Sequence, residues 1–189
     1  MTICLICKGL SKEALCEVCA KGLAHVHEPV GRPFDGFHVR SLLSWRTTGP
    51  EGISWLVHSL KGRDTSESWR QIAAMMIQVF GPLRAKCLIP VPSPHAVGFA
   101  EGLSHWTGVP VKNALEAVSD RSQKRLGRKD RLDVAFVRSL IDLRTKYTNV
   151  ILCDDVITTG ATAKAAFRAL GSPRSSEVWC LADRRPCGS

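Results

Sequence analysis

The sequence predicts an α/β domain built on a parallel sheet, preceded by a small cysteine-held knuckle. Three observations carry this. Two short apolar runs, "AKCLIPVPS" and "TNVILCDDV", have strand length and few of the polar alternations of a sheet that faces water. Each is followed by a segment whose apolar residues recur at helical steps, so that strand and helix alternate as parallel pairing requires. Four of the eight cysteines crowd into the first 19 residues as two Cys-x-x-Cys pairs.

Taken in order, Cys4, Cys7, Cys16 and Cys19 space as Cys-x2-Cys-x8-Cys-x2-Cys. Each pair can set two thiolates on one turn, and four sulfurs suit a tetrahedral Zn²⁺. Two disulfides or free thiols are the alternatives, and nothing in the sequence points to an oxidising compartment. Residues 28–36, "EPVGRPFDG", hold two prolines and two glycines and read as a linker. The expected units are therefore a four-cysteine domain over 1–30 and an α/β domain over 37–189.

"FHVRSLLSW" follows as a strand, and "GPEGISWLVHSLKG" as a helix with proline in its first turn and glycine at its end. Trp69, Ile72, Ala73, Met76 and Phe80 then mark one buried helix face. "AKCLIPVPS" is a strand that its prolines turn into a loop. Val97, Ala100, Leu103 and Trp106 give the next helix its apolar side, and Ala163, Ala166, Phe167 and Leu170 do so for the helix after "TNVILCDDV". "EVWCLAD" supplies a last strand. Cys87, Cys153 and Cys180 read as core residues.

The chain is 189 residues long, 44% hydrophobic and 23% charged, within the range of an ordinary folded protein. No apolar run approaches the ~18 to 20 residues that cross a bilayer, and the start, MTICLIC, lacks a basic segment before an apolar signal core. The expected location is the cytoplasm. A net charge of +9 suggests an anionic partner, whether a phosphorylated small molecule, nucleic acid or a membrane surface, and "DRSQKRLGRKDR", Asp120 to Arg131, concentrates it with six basic and two acidic residues.

The chemistry gathers where "VILCDDVITTGAT" leaves its strand. Ligands of open parallel sheets bind beyond the carboxyl ends of strands, which is where Asp154 and Asp155 fall. The loop that follows opens a helix, whose first N–H groups and dipole favour a phosphate. Thr158, Thr159 and Thr162 add hydroxyls, Gly160 lets the backbone approach closely, and Ala161 belongs to the same binding loop. Two carboxylates would repel that phosphate directly, so they are better matched to neutral hydroxyls a few ångströms away, or to a metal ion. A sugar phosphate meets both requirements.

An apolar run, an acidic pair and Thr-x-Gly-x-Thr resemble the signature of type I phosphoribosyltransferases. The resemblance implies that Asp154 and Asp155 hold the ribose 2′ and 3′ hydroxyls and that Thr158 to Thr162 cradle the 5′-phosphate of phosphoribosyl pyrophosphate. The order of four cysteines, "LKG" after a helix, "PVP" after a strand, "RSQKRLGRKDR" and then this motif resembles the ComF family of competence-associated proteins along nearly the whole chain. That resemblance implies a type I phosphoribosyltransferase fold with a zinc knuckle, a role in natural transformation, and single-stranded DNA or a DNA-uptake helicase as partners.

The match departs at "PVPSPHAVGFAEGLSHW", where family members usually carry a basic segment and Arg-Gly-Phe-Asn-Gln, and only Gly98 and Phe99 correspond. Val91 to His95 would be the pyrophosphate loop, with Ser93 and His95 as its polar side chains, yet it has no Arg or Lys. Lys61 is a weaker candidate. In a transfer reaction Mg²⁺ would accompany the pyrophosphate, and Arg121, Lys124 and Arg128 would belong to a closing lid. The same basic segment equally suits a nucleic-acid backbone or a solvated loop.

Overall fold

The structure, a computed structural model, describes residues 1–4, 6–13, 15–26, 30–34, 36–44, 60, 66–117, 136–139 and 146–185. Its centre is a five-stranded sheet in the order β3-β4-β9-β8-β5. β4 (Phe37–Ser44), β9 (Glu177–Asp183), β8 (Val150–Ile157) and β5 (Cys87–Pro90) run parallel, and β3 (Val30–Phe34) joins one edge antiparallel to β4. The α/β class and its parallel sheet are as the sequence predicts.

The residues read as a linker behave differently. Val30 to Phe34 pair with Phe37 to Ser41 as an edge strand. An edge position tolerates Pro33, because one side of the strand has no ladder to break. Pro90, whose ring also lacks a donor, closes the short strand at the opposite edge.

Two helices, α2 (Ser66–Phe80) and α3 (Pro94–Thr107), pack on one face of the sheet, and α4 (Ala161–Ala169) lies on the other. The expected face of α2 is buried at Trp69, Ile72, Ala73 and Met76, with Phe80 half-buried. The apolar side of α3 is rotated from its expected position. Ala96, Phe99, Ala100 and Leu103 are buried, whereas Val97 is intermediate and Trp106 is 57% exposed, its indole N–H donating to the Arg70 carbonyl at 2.8 Å.

The reason is backbone proximity. A Cβ on Gly102 would lie 2.6 Å from the Trp69 carbonyl oxygen, and one on Gly98 would lie 2.6 Å from the Trp69 ring. The two glycines thus let α3 press against α2, and that contact sets which residues turn inward. The expected helix over 49–62 lies outside the described residues, apart from buried Leu60.

At the amino terminus, β1 (Thr2–Ile3) and β2 (Leu10–Ser11) form a two-stranded hairpin, and α1 (Glu17–Val26) follows. This unit is fastened to α2. The Leu15 N–H donates to Gln71 Oε1 at 2.8 Å, Gln71 Nε2 returns a bond to the Leu15 carbonyl at 3.2 Å, and Leu15 is buried in the core that holds Trp69 and Phe99. Cys87, Cys153 and Cys180 are buried, as expected.

Candidate functional site

Helices α3 and α4 follow neighbouring strands, β5 and β8, yet pack on opposite faces of the sheet. Such a divergence leaves a crevice outside the carboxyl ends of the two strands, the place where α/β sheets bind ligands. The residues that line it come from the segments after Pro90 and after Cys153.

β8 extends through Ile157, so the acidic pair lies within the last half of the strand rather than beyond it. Val156 and Ile157 continue the apolar pattern and prolong the pairing with Ala182 and Asp183. Asp154 is buried and Asp155 is intermediate. Burial pushes the Asp154 carboxyl well above the ordinary carboxylate range, and the charge of Asp155 adds to the rise; the Asp155 N–H, donating to Asp154 Oδ1 at 2.9 Å, only partly offsets it.

The next residues change character at once. Thr158 and Thr159 are exposed, and Gly160 adopts a left-handed conformation, φ 76°, that an L side chain would strain. α4 then starts with Ala161 and has no side-chain cap bond on Gly160; Thr159 Oγ1 accepts only a long 3.3 Å bond from the Ala161 N–H. Thr162 is half-buried in the first turn. A helix of 9 residues therefore presents its amino end to the crevice beside three hydroxyls.

Across the crevice, the Val91 N–H donates to the Cys153 carbonyl at 3.0 Å, extending β5 by one bond before the chain turns. Ser93 is the N-cap of α3, its Oγ accepting from the Ala96 N–H at 3.1 Å, with Pro94 in the first turn. His95 is half-buried, its ring centroid 6.5 Å from that of Trp69. Ser93 and His95 thus stand at a second helix amino end near the same strand ends.

Arg121, Lys124 and Arg128, like Lys61, lie outside the described residues. The segment that carries the first three is bracketed by an antiparallel ribbon, β6 (Leu115–Ala117) with β7 (Phe136–Arg138).

One feature of this end went unread in the sequence. Asp183, the last residue of β9, and Arg185 form a buried bidentate pair, Nε to Oδ1 at 3.0 Å and Nη2 to Oδ2 at 2.7 Å, while the Arg184 N–H donates to the Ile157 carbonyl at 2.7 Å. The pair fixes the exit of β9 against the last residue before the threonine loop. The signal was an acid and a base two positions apart at a strand end.

The four amino-terminal thiols form the other cluster, with every sulfur within 4.8 Å of the others. Cys7 Sγ and Cys16 Sγ are 3.8 Å apart, about the edge of a tetrahedron drawn with Zn–S bonds of ~2.3 Å and far from a disulfide bond. The first pair sits on a turn closed by the Cys4 N–H to the Gly9 carbonyl at 2.9 Å and the Lys8 N–H to the Cys4 carbonyl at 3.1 Å; the second opens α1. Burial would raise the Cys4 thiol, but backbone donors from Cys16, Cys7 and Ile6 outweigh it and bring the value down to about 6. Burial and the neighbouring thiols push Cys19 up to about 12. The set can hold a metal such as zinc.

No family model matches the chain, and no curated protein matches its sequence. Solved structures do. The allosteric regulatory enzyme of purine biosynthesis is similar over 62% of this chain, at 18% identity and a TM-score of 0.45, and the match spans a quarter (25%) of that enzyme's length. The hypoxanthine phosphoribosyl transferase of Trypanosoma cruzi is similar over 66% of this chain and 69% of its own, at 16% identity and a TM-score of 0.38.

Proposed function

We propose that the crevice at the carboxyl ends of β5 and β8 binds a phosphoribosyl compound, phosphoribosyl pyrophosphate or a related sugar phosphate. The observation that carries this reading is one continuous stretch in which two adjacent aspartates, exposed threonine hydroxyls and a helix amino end without a side-chain cap follow one another at the sheet's ligand end. Asp154 and Asp155 take the ribose hydroxyls, and Thr158, Thr159, Gly160, Ala161 and Thr162 take the 5′-phosphate. Ser93 and His95 face the pyrophosphate side from the α3 amino end.

In a transfer reaction the bond from ribose C1 to pyrophosphate breaks as an acceptor bonds to C1, and Arg121, Lys124 and Arg128 close over the leaving group to exclude water. Mg²⁺, when bound with pyrophosphate, neutralises its charge, and the half-buried Asp155 offers the hard oxygen donor that this ion prefers. Zinc held by Cys4, Cys7, Cys16 and Cys19 supports the amino-terminal unit and takes no part in the transfer. The resemblance to ComF proteins supports a cytoplasmic role in natural transformation. Among the described residues, no helix is long and apolar enough to cross a membrane.

A second reading keeps the pocket and drops the catalysis: an adaptor for single-stranded DNA or an uptake helicase. The absence of Arg and Lys from Val91 to His95 favours it. Both readings require the aspartates. Asp154→Asn with Asp155→Asn is expected to weaken binding of ribose 5-phosphate by tenfold or more, since a charge-assisted hydrogen bond contributes ~1.5 to 3 kcal/mol and the half-buried Asp155 is placed to accept one. Calorimetry on a double variant with native circular dichroism checks this, and unchanged affinity would remove the proposal.

A further inference from the structure

A cavity of about 670 Å³ lined by described residues has no part in the reading above. It opens at the amino ends of β4 and β9, the opposite end of the sheet from the threonine loop. Lys164 and Arg168 of α4 line one side, the buried rings of Phe37 and Phe167 the floor, and the turn holding Ser172 and Arg174 the rim.

Among the described residues, the lining contains three cationic side chains and no carboxylate. The carboxyl end of α4 lies there too, but its dipole is equivalent to about half a negative charge, so one cation already balances it. Arg168 in the last turn suffices for that role. Arg174 adds charge that the helix does not need. Among the described residues, neither Arg168 nor Arg174 has a carboxylate partner, and both are exposed. The turn that presents Arg174 holds Ser172 and Ser175 in left-handed conformations, φ 52° and 55°, which L residues other than glycine seldom adopt.

The floor has a different chemistry. Phe37 and Phe167 pack with ring centroids 4.8 Å apart, both nearly buried, and both reach the cavity surface. A bare inorganic anion has no use for such a floor, and an apolar molecule has no use for the cations. The volume suits a small molecule, for which pockets run from about 300 to 1,000 Å³. An extended nucleic-acid strand would call for a longer cationic track than one cavity rim.

We propose that this cavity is a second ligand site, distinct from the crevice at the carboxyl ends, and that it takes a mononucleotide, with its phosphate on Arg168 and Arg174 and its base over Phe37 and Phe167. Calorimetry with adenosine 5′-monophosphate tests it on wild type, on Arg168→Ala with Arg174→Ala, on Arg168→Lys with Arg174→Lys, and on Asp154→Asn with Asp155→Asn.

The expected result is binding to wild type that is tighter than for adenosine or phosphate alone. The alanine pair should lose at least about tenfold in affinity at this site, the lysine pair should recover part of it, and the aspartate variant, in which the nucleotide's ribose 5-phosphate no longer holds the crevice, should keep one site within about twofold of that affinity. Ribose 5-phosphate binding should be unaffected by the arginine changes. No binding to wild type, or a loss confined to the aspartate variant, overturns the proposal. So does an oligothymidylate that binds where the mononucleotide does not and is lost in the alanine pair, since that outcome assigns the cations to a nucleic-acid strand.

Discussion

At the scale of single residues, Asp154 concentrates the tension between stability and function. Its carboxyl titrates well above the ordinary 3.8, because burial penalises the charge and Asp155 adds repulsion. The folded chain therefore keeps a proton that the unfolded chain releases, and stability falls as pH rises above 3.8 toward the folded value. Asp154→Asn removes that dependence. The variant should unfold at a higher temperature than wild type at pH 7, and the two should converge near pH 3, where both states are protonated; thermal scans across that range measure it. A variant less stable than wild type at pH 7 would show that the charged carboxylate is held by interactions stronger than its desolvation. The sequence made the acidic pair legible by adjacency alone. It could not show that Asp154 is enclosed, because that depends on β8 continuing through Val156 and Ile157 beside Ala182 and Asp183.

At the scale of elements, the strands were legible and one helix face was not. Runs such as "VILC" and "EVWCLA" read as buried strands because almost every position is apolar, and both lie at the centre of the sheet. In α3, hydropathy favours Val97 and Trp106, but the helix turns Gly98 and Gly102 toward Trp69, and a pattern that counts apolar side chains gives glycine no weight. Gly102→Ala should cost ~1 to 3 kcal/mol, since the added methyl meets backbone that cannot rotate away. An unfolding midpoint lowered by several degrees is expected, and an unchanged one would mean that α2 and α3 separate at little cost. The cysteine knuckle makes a parallel prediction. Elemental analysis of reduced protein should find one zinc per chain, and Cys16→Ser should lose it while the circular dichroism of the α/β core persists, because that core has its own apolar strands and helices. Full-length protein lacking zinc would contradict the assignment.

At the scale of the whole molecule, the sheet has two ends with different equipment. The carboxyl end gathers carboxylates, hydroxyls and two helix amino ends; the amino end gathers arginines around an aromatic floor. Sequence order revealed the first because its groups lie within nine residues, from Asp154 to Thr162. It concealed the second, whose groups come from Phe37, Phe167 and Arg174 and meet only through the pairing of β4 with β9. The strongest concentration of charge, between β6 and β7, was visible by counting, although its part in the chemistry depends on a ligand. The most direct measurement is calorimetric titration of reduced, zinc-replete protein with phosphoribosyl pyrophosphate and Mg²⁺, beside ribose 5-phosphate and inorganic phosphate. Saturable binding of both ribose compounds at one site per chain, each tighter than phosphate, is the predicted result; ribose compounds that bind no better than phosphate, or not at all, would contradict the account.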